Sequence, residues 1–549
     1  MNYAKYKMFP PVALPDRTWP SKQITHAPEW CSVDLRDGNQ ALEVAMSLEQ
    51  KLEFFAYLVK IGFKTVEVGF PAASDTEFAF ARKLIDDGLV PDGVAIQVLT
   101  QSRGHIIERT FEALAGAKRA IVHLYNSTSV LQRDVVFRKS KEEIKEIAVS
   151  GAAQILALAE QHGRERFLFE YSPESFTGTE LDYAIEVCNA VLDVWQPSAD
   201  YPVIINLPST VEMATPNVYA DQIEYVCRHI KYREHVRISL HAHNDRGTGV
   251  AATELAVMAG ADRVEGTLFG NGERTGNADI LTLAMNLFSQ GIDPKLDLSA
   301  IDEAVEIYER VTKIDVHPRH PYAGYLVYTA FSGSHQDAIK KGMDALPASK
   351  DVWEVPYLPI DPMDVGRSYA PIIRINSQSG KGGVAYILQT YFGLHVPKAM
   401  QPEFGRVVTA VSDVNHKELL PDELYELFRK EYINIEAPLN LLSYTEKTNG
   451  ATSVTSMMTV RGEERQIAGE GNGIIDAFAH SLESALGIRF EVESYNEHAM
   501  EVGSSSRAIT YVCIKGEDGK KFFGAGVSSS ISKSSLKAVV SAVNKMMEA

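Results

Sequence analysis

Positive charge is in short supply in this sequence. Its 54 lysines and arginines are outnumbered by 72 aspartates and glutamates, which leaves a net charge of −18, and no local basic patch compensates. A polyanion would be repelled, so general nucleic-acid binding is excluded, while small anionic ligands in cationic pockets are not. Cysteine is scarcer still: Cys31, Cys188, Cys227 and Cys513 lie far apart with no CxxC pair. Neither a disulfide framework nor a cysteine-based zinc site is indicated, and four reduced core thiols are expected. Long apolar runs are missing too, none approaching the roughly 18 residues that a membrane span needs. The opening stretch MNYAKYKMFPPVALP lacks the basic-then-apolar layout of a signal peptide, and no Arg/Ser-rich transit segment precedes the first predicted strand. A cytoplasmic location and no membrane partner are the expectations.

What is present is length and periodicity. At 549 residues the chain exceeds the roughly 250–300 at which one hydrophobic core stops growing, so several domains are expected. Between about 30 and 290, eight short apolar runs alternate with eight amphipathic stretches: WCSVDLR, TVEVGF, VAIQVLT, RAIVHLYN, RFLFEYS, PVIINLP, VRISLHAH and RVEGTLFG. The first amphipathic stretch has Ser47 as its N-cap, Leu48, Leu52, Phe55 and Val59 at helical spacing, and Gly62 as its stop. Eight strand-then-helix units over about 260 residues predict an α/β fold of the (β/α)8 TIM-barrel type, with an open doubly wound sheet as the alternative. A barrel carries a demand, that polar chemistry gather at the C-terminal ends of its strands.

Beyond 300 the alternation fails. SAIDEAVEIYERVTKI reads as a helix, and the Pro- and His-rich text around VHPRHPYAG reads as a linker with small helical subdomains. After about 430 a pattern occurs twice. TSVTSMMTVRGEERQIAGEGNG leads into IIDAFAHSLESALG, and RAITYVCIKGEDGKKFFGAGVSSS leads into SSLKAVVSAVNKMM, each copy a hairpin followed by an amphipathic helix. The C-terminal part is predicted to be a small α+β domain with internal pseudo-symmetry.

The chemistry sits where a barrel would put it. The first run ends in Asp34-Leu35-Arg36-Asp37-Gly38-Asn39-Gln40, and the seventh in His241-Ala242-His243-Asn244-Asp245. Residues two apart on a strand point the same way, so His241 and His243 can present two imidazoles to one ion, and Asp37 can meet them across the barrel mouth. Two histidines and a carboxylate suit a divalent metal with open positions for substrate or water. An HxH pair alone is equally ordinary strand text; its place at a predicted strand end favours the metal reading. The eighth run ends in Gly270-Asn271-Gly272-Glu273-Arg274-Thr275-Gly276-Asn277, and Asn277 offers a further oxygen.

DLRDGNQ, HAHND and GNGERTGN, in that order, make the chain resemble the 2-isopropylmalate synthases, within the metallolyase superfamily that also holds homocitrate and citramalate synthases. The resemblance runs nearly end to end and implies a catalytic barrel over 1–310, linker subdomains over 311–429 and a leucine-binding regulatory domain over 430–549. It implies a metal-dependent condensation of acetyl-CoA with 2-ketoisovalerate, the first committed step of leucine biosynthesis, inhibited by L-leucine. Asp37, His241, His243 and Asn277 match the family's metal ligands, with Mg²⁺ the first choice, Mn²⁺ or Zn²⁺ as alternatives and a monovalent cation such as K⁺ as an accessory. Arg36 matches the arginine that stabilises enolate and keto oxygens; its bland reading is an ion pair with Asp37 or Glu67. Glu174, His335 and Tyr369 match a network that removes the methyl proton, the last two supplied by a partner subunit, so a homodimer is implied.

Leu99, His123, Ser172, Asn206, Pro208 and Thr210 match the keto-acid pocket. They include no lysine or arginine to face a distal carboxylate, which favours a branched substrate over 2-ketoglutarate; rejection of pyruvate rests on methyl contacts worth only about 1–3 kcal/mol. Gly270, Asn271, Gly272 and Arg274 border the implied acetyl-CoA site, and their spacing does not match the GxGxxG of a dinucleotide loop. In the terminal domain, the turns Gly469 to Gly473 (with Gly471 and Asn472) and Gly524 to Ser530 (with Gly526) are read as leading into the two helices, where backbone N–H groups could receive leucine's carboxylate. The competing readings are a hydroxyacyl-CoA lyase, which typically lacks a terminal domain, and a non-catalytic amino-acid sensor, which has no need of intact metal ligands.

Overall fold

A computed structural model describes residues 1–330, 333–346, 352–369, 381–415, 419–500 and 506–548. The chain forms two compact units: Met1–Val327 with Pro359–Gly366, and Tyr328–Leu358 with Arg367–Ala549.

The first unit is built on β1 (Glu29–Ser32), β2 (Thr65–Gly69), β3 (Ala95–Gln101), β4 (Ala120–Ser127), β5 (Phe167–Glu174), β6 (Val203–Ser209), β7 (Val236–Ala242) and β8 (Arg263–Gly266), which close into one barrel. Every neighbouring pair is parallel, including β1 with β8, where Cys31 lies opposite Glu265. Parallel strands need crossovers, supplied by α1 (Leu48–Lys60), α2 (Asp75–Asp86), α3 (Gly104–Leu114), α4 (Lys141–His162), α5 (Leu181–Trp195), α6 (Pro216–His229) and α7 (Gly249–Met258), with α8 (Ile280–Phe288) and α9 (Ile301–Thr312) after the last strand.

Helix α1 illustrates the local logic. Ser47 caps it, as its sequence predicts, and does so in a reciprocal box with Gln50, while Gly62 at φ +117° ends it. The buried face is Lys51, Phe54, Phe55, Tyr57 and Leu58, while Leu52 and Val59 are only half-buried. The predicted stripe is thus turned slightly, because Lys51 is drawn inward. Its ammonium donates to the Leu35 carbonyl and pairs with Glu77 from α2. Each large apolar side chain on that face contributes about 1.5–3 kcal/mol by leaving water.

The barrel interior departs from the usual layers of branched apolar residues. Glu67, Gln97, Glu170, Ser239, Arg263 and Glu265 are all fully buried in it.

In the second unit, α10 (Gly333–Ala345), α11 (Lys381–Phe392), α12 (Gln401–Asn415) and α13 (Pro421–Tyr432) precede two sheets. The first sheet has the order β11 (Glu463–Gly471), β10 (Ala451–Val460), β9 (Leu439–Asn449); the second has β12 (Phe490–Ala499), β13 (Ala508–Gly516), β14 (Lys521–Ser528). Each is followed by its helix, α14 (Ile474–Leu486) or α15 (Ile531–Glu548). The predicted duplication is present with one strand more per copy. One core joins Val454, Met458, Phe478 and Leu482 of the first copy to Val512, Ile514, Val539 and Val543 of the second. The other face of the second sheet (Ile509, Tyr511, Cys513, Phe523) packs on Ile387, Phe404 and Phe428 of α11, α12 and α13, so helices read as a linker share a core with the terminal domain.

The regulatory turns need correction. Gly469 and Gly471 lie in β11, and Gly524 and Gly526 in β14, so they are strand residues. A β-carbon on Gly526 would stand 1.9 Å from the Ser534 carbonyl, and one on Gly524 2.3 Å from the Ala542 amide. These glycines let α15 lie against its sheet, a packing role. Only Asn472 and Gly473, and the residues after Ser528, belong to turns leading into the helices.

Candidate active site

The side chains singled out from the strand ends converge. Just after β1 the chain makes one wide helical turn over Asp34–Gly38, which carries Arg36 and Asp37. Strand β7 delivers His241; His243 lies one residue past its end and bridges to Asn277. Asp37 Oδ2 is 3.5 Å from His241 Nε2 and 3.8 Å from His243 Nε2. The Asn277 amide donates to the same oxygen at 2.7 Å. All four residues are buried.

The electrostatics single out this cluster. Burial alone would raise the Asp37 carboxyl, but Arg36 and the two imidazoles outweigh it and hold Asp37 far below the usual carboxylate range. Burial would likewise lower both histidines. His243 does fall, to about 4, with His241 adding to the effect, whereas hydrogen bonds to Asp37 and Glu265 lift His241 to about 9. His243 Nδ1 and Asn277 Oδ1 are buried with no hydrogen-bond partner among the described residues. Buried polar atoms are rarely left so, and a bound cation and its water would satisfy them. The donor set of one carboxylate, two imidazoles and an amide oxygen suits a divalent ion.

A second cluster of similar composition, Glu67, His123 and Glu265, lies in the barrel strands. Its space is already taken by the Gln97 amide nitrogen, 2.7 Å from Glu67 Oε2, 2.9 Å from Glu265 Oε1 and 3.3 Å from His123 Nδ1. It is a hydrogen-bonded support and not an ion cage. Beside it Glu170 lies 3.4 Å from both His123 Nε2 and Arg263 Nη1 with no well-formed hydrogen bond among the described residues, and burial, reinforced by Glu265, pushes its carboxyl well above the ordinary value.

Arg36 makes both contacts of its bland reading, to Asp37 Oδ1 at 2.8 Å and to Glu67. These fix the guanidinium beside Asp37. Among the residues expected to line the keto-acid side, Leu99 lies opposite His123 across β3 and β4, and Pro208 opposite His241 across β6 and β7. His123 Nε2 is 2.7 Å from Ser172 Oγ, which also accepts from Asn206 Nδ2 at 2.9 Å. Glu174, half-buried, accepts from Ser127 Oγ, and Thr210 Oγ1 accepts from the Ser175 amide.

In the eighth loop, Asn271 Nδ2 donates to the Gly38 carbonyl, and a β-carbon on Gly272 would fall 2.2 Å from Asn277 Nδ2. Gly272 is therefore glycine so that Asn277 can fold under its own loop. Gly270 sits at φ +74°. Arg274 is engaged with Asp245 (2.6 Å) and the Thr210 carbonyl, tying three strand-end loops together. His335 and Tyr369 belong to the second unit. His335 is exposed on α10 and stacks on Tyr357, and Tyr369 is half-buried. The four cysteines are free, three of them buried.

The chain matches three family descriptions in order: HMGL-like over residues 27–307, alpha-isopropylmalate synthase post-catalytic domain-like over 325–389, and LeuA allosteric (dimerisation) domain over 418–547. A protein of Acetoanaerobium sticklandii named 2-isopropylmalate synthase is 61% identical over 553 residues, covering 100% of this chain and 97% of its own. The chain belongs to the 2-isopropylmalate synthase family. Relatives of that name from Clostridium acetobutylicum and Desulfitobacterium hafniense are each 54% identical, over 99% and 100% of this chain and 99% and 98% of theirs. Members of this family are acyltransferase-type enzymes. The residues that motif reading passed over, Gln97, Glu170, Arg263 and Glu265, had a signal: VAIQVLT, RFLFEYS and RVEGTLFG each bury a charged or amide residue in an apolar run. Among the described residues, no helix is long and apolar enough to cross a membrane.

Proposed function

We propose that the protein condenses acetyl-CoA with 2-ketoisovalerate, giving 2-isopropylmalate and free CoA, and that L-leucine inhibits it. The observation that carries this reading is the buried Asp37–His241–His243 cluster with Asn277, at the strand ends of a barrel whose family is that of the synthases. A divalent ion held there, Mg²⁺ first and Mn²⁺ or Zn²⁺ as alternatives, would supply Lewis acidity toward the carboxylate and carbonyl oxygens of a 2-keto acid. K⁺ is an accessory candidate.

The chain's own residues do the rest. Asp37, His241, His243 and Asn277 hold the ion, and Arg36 keeps a charge that does not titrate beside the oxygens on which negative charge develops. The acetyl methyl group is a weak carbon acid, so a positioned base must take its proton. Glu174 is the candidate in the barrel, with His335 and Tyr369 reaching the site from a partner subunit. The carbon so freed bonds to the keto carbon, whose oxygen takes up a proton, and water then cleaves the thioester to release CoA. Leu99, His123, Ser172, Asn206, Pro208 and Thr210 line the keto-acid side, and Gly270, Asn271, Gly272 and Arg274 border acetyl-CoA. We divide the chain into a catalytic barrel over 1–310, linker subdomains over 311–429 and a leucine-binding, dimer-forming domain over 430–549, working in the cytoplasm as a homodimer. The match to a LeuA allosteric (dimerisation) domain supports the last assignment.

The test is release of CoA thiol from acetyl-CoA with 2-ketoisovalerate, pyruvate or 2-ketoglutarate, with and without L-leucine. Fastest release with 2-ketoisovalerate, suppressed by leucine, is expected; faster release with another keto acid overturns the substrate assignment, and indifference to leucine overturns the regulation.

A further inference from the structure

Six side chains at the barrel mouth and in the interior just beneath it form a closed ring. Arg36 Nη1 donates to Asp37 Oδ1 at 2.8 Å and its Nε donates to Glu67. The other Glu67 oxygen accepts from Gln97 Nε2 at 2.7 Å, and the same amide donates to Glu265 Oε1 at 2.9 Å. Glu265 Oε2 lies 2.9 Å from His241 Nδ1, and His241 Nε2 returns to Asp37 Oδ2 at 3.5 Å. Arg263, fully buried, pins the ring from below: one guanidinium nitrogen donates to Gln97 Oε1 and the other to Glu265 Oε1, both at 2.7 Å.

Each link has one role that its chemistry allows. The Gln97 amide offers two N–H donors to two carboxylates that would otherwise repel, and its oxygen accepts from Arg263, so both donors and the acceptor oxygen are engaged. Glu265 accepts the Nδ1 proton of His241, so Nε2, which faces Asp37, is the nitrogen left to meet an ion. A carboxylate behind a histidine in this way fixes the tautomer, holds the ring and makes the other nitrogen a better donor to a metal.

We propose that Glu265 and Gln97 are positioning residues that set the divalent-ion affinity of the Asp37–His241–His243 site, while touching neither ion nor substrate. This rests on the metal reading above. It separates them from ordinary core residues, whose replacement lowers the melting temperature and leaves ion affinity of the folded protein alone.

Mn²⁺ titrated calorimetrically into metal-free full-length protein tests it. Glu265→Gln removes the charge behind His241, and Glu265→Asp keeps the charge but withdraws it by one methylene, so at least one of the two is expected to fold. Each folded variant should bind Mn²⁺ roughly 10- to 100-fold more weakly than wild type. Gln97→Met, which removes the shared donor, should weaken binding in the same direction. A Glu265 variant that is folded by circular dichroism and binds Mn²⁺ as wild type does overturns the inference alone. Wild-type protein that binds no Mn²⁺ overturns the metal reading and the inference with it.

Discussion

The barrel centre and the paired hairpin–helix halves both bury polar groups, but they settle them differently. At the barrel mouth full charges are buried, and His243 Nδ1, Asn277 Oδ1 and Asn206 Oδ1 have no hydrogen-bond partner among the described residues. In the terminal halves the buried polar groups are neutral and mutually satisfied. Thr510 Oγ1 meets Ser534 Oγ at 2.7 Å, and Asn544 binds the Leu439 amide and the carbonyls of Ile435 and Leu439. Among the described residues there, Ser456 Oγ is the buried exception. Desolvation is costly for an unpaired polar atom, so a fold keeps such atoms where a ligand will complete them and removes them where packing alone is wanted. The same division runs through the glycines: Gly272 makes room for the Asn277 amide at the cluster, whereas Gly526 makes room for a helix backbone.

The largest effects should come from the unsatisfied side of that comparison. Stripping the divalent ion with a chelator, or making Asp37→Asn, is expected to lower turnover by about a thousandfold or more, since the ion's contribution to transition-state charge is several kcal/mol. Chelator-treated wild type should recover with Mg²⁺ or Mn²⁺, and turnover that survives rigorous metal removal would end the metal reading. Next comes Arg36→Lys. The charge stays but the planar fork that meets Asp37 and Glu67 together is lost, so kcat should drop by roughly 10²–10³-fold with Mn²⁺ still bound in a calorimetric titration. An unchanged kcat would make Arg36 only an ion-pair partner.

The satisfied side should respond in stability. Gly526→Ala forces a methyl group against the Ser534 carbonyl, and overpacking of this kind costs about 1–3 kcal/mol. Thermal melting of the variant should show it, while turnover by the folded fraction should stay near wild type. An unshifted melt would mean that α15 does not sit tightly on β14 in solution.

How much of this was legible in the sequence follows the same line. The eight barrel strands, the capped α1 and the convergence of Asp37, His241, His243 and Asn277 could be read because periodicity and strand-end position are local signals. β9 and β12 were not, because most of their residues, such as Thr445, Glu446 and Lys447 or Asn496 and Glu497, are exposed and carry no apolar alternation. The Arg36-to-His241 ring was also missed. Its members come from five strands or strand ends, and nothing in VAIQVLT says that Gln97 will find Glu67 and Glu265. The terminal glycines were misplaced for a related reason: GEGNG and GAGVSSS look like turns, and only the helix lying over them shows that the first glycines of each are strand.

The smallest expected effect separates packing glycines from those that could serve a ligand. Gly473 is the N-cap of α14, in extended backbone (φ −162°), with nothing within 4 Å of where a β-carbon would lie and no side-chain cap on the helix. Asp476 accepts from the amide of Asn472, the residue before the cap. Gly473→Ser would supply a side-chain cap, its hydroxyl accepting from an amide of the first turn, for a gain of a few tenths of a kcal/mol. The melting temperature should therefore hold or rise slightly, opposite in sign to Gly526→Ala. If leucine's carboxylate uses those same amides, the hydroxyl competes with it, and more leucine should be needed for half-inhibition while uninhibited turnover is unchanged. Inhibition identical to wild type in a protein of wild-type or higher melting temperature would remove the α14 N-terminus from the leucine site and leave the turn after Ser528 as the place to look.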